Sequence, residues 1–234
     1  MTQSTSGTQG LTYSVDVVIC IDATGSMGGI IEEVKQRAVV FPDDVTRALS
    51  EHGKSVTRMR VRIIAFRDVR FDAEPFQVSD FFTIPDQVAD YQAFVKGIAA
   101  MGGGDDPESG LEAIAIAMHS DWATDMDKLR HVIFVLTDAS AHKLEEGAGH
   151  VPAAYATIMP KDLNELTDWW QGTSQTAGLK LRPSAKRMIL FAPEAYPWSN
   201  MSIDWEECAH TMSKAGQGGD IHYAQVLELL AKSV

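Results

Sequence analysis

Residues 17–21, V-V-I-C-I, form an unbroken apolar run that ends on an acid, Asp22. Such a run has no side suited to water, so it predicts a strand over residues 15–21 inside a sheet covered on both faces. Three more stretches have strand character: 59–66 (M-R-V-R-I-I-A-F), 131–136 (H-V-I-F-V-L) and 188–192 (M-I-L-F-A). Residues 76–84 read as an antiparallel edge strand. Helical patterns occupy 27–50, 85–101, 107–122 and 162–170. Pro42 is expected to kink or divide the first of these, and Pro107 to open the third. Residues 193–202 read as a loop, and 203–214 and 221–232 as two closing helices. Strands alternating with helices predict a three-layer α/β domain whose sheet is mostly parallel, with one antiparallel edge strand.

The 234 residues are 45% apolar and 22% charged, enough for a sizeable core in one domain. Residues 1–12 read as a disordered lead and 13–234 as the domain, with an irregular insertion over about 143–160. A formal charge of −12 argues against a general nucleic-acid binder, since nothing would neutralise phosphates over a broad surface. Only Cys20 and Cys208 occur, so there is neither a disulfide framework nor a paired-cysteine metal spacing. The first ten residues lack both a basic start and an apolar stretch. No run approaches the roughly 18 apolar residues of a membrane span. These features lead to an expectation of a cytoplasmic protein.

In open α/β sheets ligands collect beyond the carboxyl ends of the strands. Three segments put oxygen-bearing side chains there: D-A-T-G-S after the first strand, D-D-P-E before the third helix, and T-D ending at Asp138. Asp68, in A-F-R-D, is a weaker fourth candidate. Asp22, Thr24 and Ser26 are spaced so that all can face one point. Oxygen donors without histidine or cysteine suit Mg²⁺, Mn²⁺ or Ca²⁺ rather than zinc. Each segment alone also reads as a local device: Ser26 as a helix cap, Asp105 or Asp106 as another, Asp138 as a loop anchor. Three coincidences at one sheet edge favour a joint site.

D-A-T-G-S-M resembles the D-x-[ST]-x-S motif of von Willebrand factor A domains, and L-T-D-A resembles their later strand-end aspartate. G-G-G-D-D-P-E-S-G-L-E-A-I is similar to a stretch of the A-like domain in integrin β subunits, and the combined set to A domains linked to alpha-kinases and other bacterial and protist signalling proteins. The resemblance implies a Rossmann-like fold and a metal-ion-dependent adhesion site. Thr24 and Ser26 would bind the ion directly, Asp22 and Asp138 mainly through water, and Glu108 in either manner. The matching integrin residues also imply a second cation site from Asp68, Asp105 and Glu108. The competing reading is that Arg67 or Arg70 neutralises Asp68.

What the resemblance implies for function is a divalent-metal-dependent protein-interaction module, not an enzyme. Its partner would present an aspartate or glutamate to Mg²⁺ (or Mn²⁺ or Ca²⁺). A bacterial intracellular adaptor in a signalling or stress-response system is expected, beside a kinase, phosphatase or ATPase, with neither nucleic acid nor membrane as partner. The alternative is an aspartyl-phosphate phosphotransferase or phosphatase of haloacid-dehalogenase-like type with Asp22 as nucleophile. For that chemistry the order of the segments is unfavourable, because the Gly104-Asp105 acid pair precedes the strand ending at Asp138.

Overall fold

The computed structural model describes residues 12–38, 40–104, 106–174, 178–212, 227–228 and 231–232. Strand β1 (Thr12–Asp22) is the axis of a seven-stranded sheet. It pairs in parallel with β2 (Ser55–Phe66) on one side and β5 (Leu129–Leu136) on the other. Beyond β5 follow β6 (Lys186–Ala192) and β7 (Cys208–Met212), both parallel. The other edge of β2 is covered by two short antiparallel strands, β3 (Phe76–Val78) and β4 (Phe82–Ile84), in place of the single edge strand expected over 76–84.

Alternation along β1 divides the interior into two cores. Val17, Ile19 and Ile21 face α1 (Gly28–Ala38), α2 (Phe41–Glu51) and α3 (Val88–Gly97), packing with Ile31, Leu49 and Tyr91. Val18 and Cys20 face α4 (Gly110–Met118) and α7 (Leu163–Gln171), packing with Ile114, Leu166 and Trp170. Burial on both faces is why the run lacks polar alternation. Asp16 interrupts the apolar stretch of β1: it is buried, and Arg60 holds both of its oxygens, at 2.8 and 2.5 Å.

Pro42 divides the first helical stretch, sitting in the first turn of α2 with Asp43 and Asp44, where acids suit the helix N-terminus. The helix expected over 85–101 is shorter. After α3 the chain continues as a strap, because Arg67 binds the carbonyls of Ala99 (2.7 Å) and Met101 (3.0 Å). Pro107 does not open a helix. α4 begins at Gly110, and Glu108 forms instead an isolated bridge with Ala141.

The segment 143–160 contains two short helical turns, α5 (Leu144–Gly147) and α6 (Ala153–Ala156). The carboxyl end is where expectation fails. Residues 193–202 are not all loop, since α8 spans Trp198–Asp204. The helix expected over 203–214 does not form beyond Asp204, since β7 occupies the edge beside β6; residues 213–214 lie outside the described residues. Pairing with β6 satisfies the backbone groups of an edge that would otherwise stay open. Residues 227–228 and 231–232 are helical; the rest of the helix expected over 221–232 lies outside the described residues, as do residues 1–11 of the expected lead.

Candidate functional site

The chain crosses from β1 out to β2 and returns to β5, so the carboxyl ends of β1 and β5 border the crevice where the strand order reverses. Asp22 ends β1 fully buried. One of its oxygens accepts from the Thr24 amide (2.9 Å) and hydroxyl (2.6 Å), the other from the Thr137 hydroxyl (2.7 Å). Ser26 Oγ lies 3.3 Å from Thr24 Oγ1 and donates to Asp138 at 3.0 Å. A continuous polar chain therefore runs Thr137–Asp22–Thr24–Ser26–Asp138. Thr137 was not among the residues singled out in the sequence; its place beside Asp138 in L-T-D-A was the available signal.

Glu108 reaches the same place from the other side. Its amide donates to Ser140 O (2.9 Å) and its carbonyl accepts from the His142 amide (3.0 Å). Asp106 reinforces this join by accepting from both the amide and the hydroxyl of Ser140. Gly103, at φ 77°, separates Glu108 from Thr24. A Cβ there would lie 2.8 Å from Glu108 Oε1 and 3.0 Å from the Thr24 Cβ. Only glycine fits that close approach at that backbone angle. Thr24, Ser26, Gly103, Glu108 and Asp138 line an open cleft of about 460 Å³.

The electrostatics are those of a site short of positive charge. Glu108 Oε2 is buried and has no hydrogen-bond partner among the described residues. Burial first, then the carboxylates of Asp22, Asp68, Asp72 and Asp106, push its pKa up to about 9. Burial also raises Asp22, to about 6, against the opposing hydrogen bonds from Thr24 and Thr137. Among the described residues no three His, Cys, Asp or Glu side chains converge as ligands. An ion here would need the two hydroxyls as well. Neutral hydroxyls, carboxylates and one orphaned acid oxygen fit a hard divalent cation that keeps some of its waters.

The second proposed cluster is organised differently. Both oxygens of Asp68 are engaged, one by the Arg70 amide (2.8 Å) and the other by His142 Nε2 (3.0 Å). Neither expected arginine neutralises it: Arg67 is committed to the 99–101 strap, and Arg70 Nη1 lies 3.5 Å from the other His142 ring nitrogen. His142 takes the place expected of an arginine because the Glu108–Ala141 bridge draws residues 140–142 over Asp68. Asp105 lies outside the described residues. Asp72, passed over in the sequence, fixes the glycine loop by accepting from the Gly103 amide at 3.0 Å and the Asp68 amide at 3.2 Å.

Residues 16–151 match the von Willebrand factor A domain family, and the chain belongs to it. It is 26% identical over 157 residues to a putative ariadne-like RING finger protein of Acanthamoeba polyphaga mimivirus, covering 66% of this chain but 14% of that protein. The fold is similar to that of the SpaC pilus adhesin of Lactobacillus rhamnosus GG (TM-score 0.56, 9% identity, 94% of this chain and 31% of that one). It is also similar to the vWF domain of the type V pili tip protein Mfa5 of Porphyromonas gingivalis (TM-score 0.54, 11% identity, 94% of both). The chain thus spans less than a third of the length of the viral protein and of the SpaC adhesin.

Proposed function

We propose that this domain is a protein-interaction module that grips a partner carboxylate through a divalent cation, Mg²⁺ foremost. The observation that carries this reading is the buried Glu108 oxygen without a partner among the described residues, in a carboxyl group that lines one cleft with Thr24, Ser26 and Asp138. Thr24, Ser26 and Glu108 would hold the ion, with Asp22 and Asp138 behind them. A bound cation supplies an open coordination position for an anionic oxygen. Asp22 orients the Thr24 hydroxyl, Thr137 fixes Asp22, and Gly103 lets Glu108 approach Thr24.

The reading extends to an intracellular adaptor working beside a kinase, phosphatase or ATPase. An adhesin is the second reading, favoured by the pilus proteins that share the fold. Phosphotransfer loses support, because an Asp22 nucleophile would have to be freed from three hydrogen bonds and from full burial. Calorimetric titration with Mg²⁺ and Mn²⁺ tests the site. Ser26→Ala and Asp138→Ala should each weaken binding about tenfold or more while the fold persists. Unchanged affinity in both variants would overturn the assignment. A second ion at Asp68 would have to displace His142, so Asp68→Ala should leave the first binding event in place. For the partner, capture of carboxylate-bearing protein should disappear in chelator.

A further inference from the structure

A second unpartnered acid lies one helical turn beyond Glu108. Glu112 is fully buried in α4, and neither carboxylate oxygen has a hydrogen-bond partner among the described residues. It lines a separate cavity of about 230 Å³ beneath the 143–160 segment, walled by Leu144, Val151 and Met159, with Lys161 and Glu165 also lining it. Gly147 covers the acid closely, since a Cβ there would lie 2.5 Å from Glu112 Oε1. The exposed Ala148 and Ala156 also line the cavity and mark its mouth.

A carboxyl group buried without a donor is costly, and a leucine would suit these walls better. Apolar walls with one acid among them match a particular ligand shape, an aliphatic stem ending in a cation. A primary ammonium is compact and brings three donors to oxygens left without a side-chain partner among the described residues. Lys161 and Glu165, which also line the cavity, are of opposite sign, so the buried Glu112 sets the sign of the ligand, and the net charge of −12 favours the same sign.

We propose that this cavity binds a primary alkylammonium group, its methylenes along Leu144, Val151 and Met159 and its charge on Glu112. The group belongs either to a free aliphatic amine or to a lysine side chain of a partner protein. The site is independent of the cation cleft, so it is tested in chelator. Amide spectra are recorded during titration with n-butylammonium and with n-butanol as the neutral isostere. Saturable shifts at Gly147 and Glu112 are expected with the amine, and affinity about tenfold or more weaker for the alcohol. Glu112→Gln should lose the preference for the amine. Ala156→Trp, at the exposed mouth, keeps the buried acid intact and should block binding by filling the entrance. A one-lysine peptide that binds tighter than n-butylammonium assigns the site to a protein partner, and the reverse order assigns it to a free amine. Equal affinity for amine and alcohol, no saturable shift at Gly147, or undiminished binding in Ala156→Trp would overturn the proposal.

Discussion

At the scale of single residues, the two orphaned acids and the glycines pressed against them have measurable consequences. Gly103→Ala would place a methyl group against Glu108 Oε1 at a positive φ. A cost of about 1 kcal/mol or more is expected in denaturant unfolding, together with a weakened response to Mg²⁺. Glu112 gives a pH signature. Burial foremost raises its pKa from 4.5 to about 8, with Asp68 adding to this and Glu112's own amide offsetting part. The folded state therefore holds the proton more tightly than the unfolded chain. Stability from this group is complete below pH 4.5 and is lost as pH rises towards 8. Urea midpoints across that window should fall less steeply in Glu112→Gln than in the parent chain. The sequence hid Glu112, because an acid within L-E-A-I-A-I reads as the solvent side of a helix. It is buried because α4 is covered on every side. Asp16 was hidden likewise, and its arginine partner lies 44 positions away. Asp22, Thr24, Ser26, Glu108 and Asp138 were legible as neighbours, since each follows or precedes an element whose end the sheet fixes.

At the scale of elements, α8 positions the site from behind. Trp198 donates its indole N–H to the Ala139 carbonyl at 2.9 Å, and its ring lies where a Cβ on Gly110 would stand 2.7 Å away. One side chain thus fixes both the start of α4 and the loop that bears Asp138. Trp198→Phe should leave that buried carbonyl only the long 3.4 Å contact from the Thr137 hydroxyl, at about 1–2 kcal/mol in urea unfolding, and should lower ion affinity with it. A change in stability alone would mean that the loop holds its shape without the indole. The sequence placed α8 in a loop and β7 in a helix for a common reason. Trp205 stacks on Trp170 with ring centroids 5.3 Å apart, and the chain then turns at Glu207 to cover β6. Sheet order is set by contacts between distant segments, which local spacing does not encode. The central strands were legible because their apolar runs leave no other place for them.

At the scale of the whole molecule, charge and contact act in opposite directions. A surface of net charge −12 repels an acidic partner from a distance, whereas the proposed grip on its carboxylate operates only at contact. Association with an acidic peptide should therefore become faster as salt rises, while dissociation changes little. Stopped-flow measurements at two ionic strengths check this; a slower association in salt would place the docking face on a locally basic surface. The bond from Thr137 to Asp22 joins residues 115 positions apart, and Ser26 repeats the link to Asp138. In mechanical terms these bonds are a clasp, closing the chain into a ring without a covalent link. A protease cut within that ring, for example at the exposed Phe71, would leave two pieces still fastened to each other. Gel filtration of the nicked protein should return one species, in chelator as with a divalent ion, because the pairing of β1 with β5 (Ser14–Ile21 beside Leu129–Leu136) also bridges the cut.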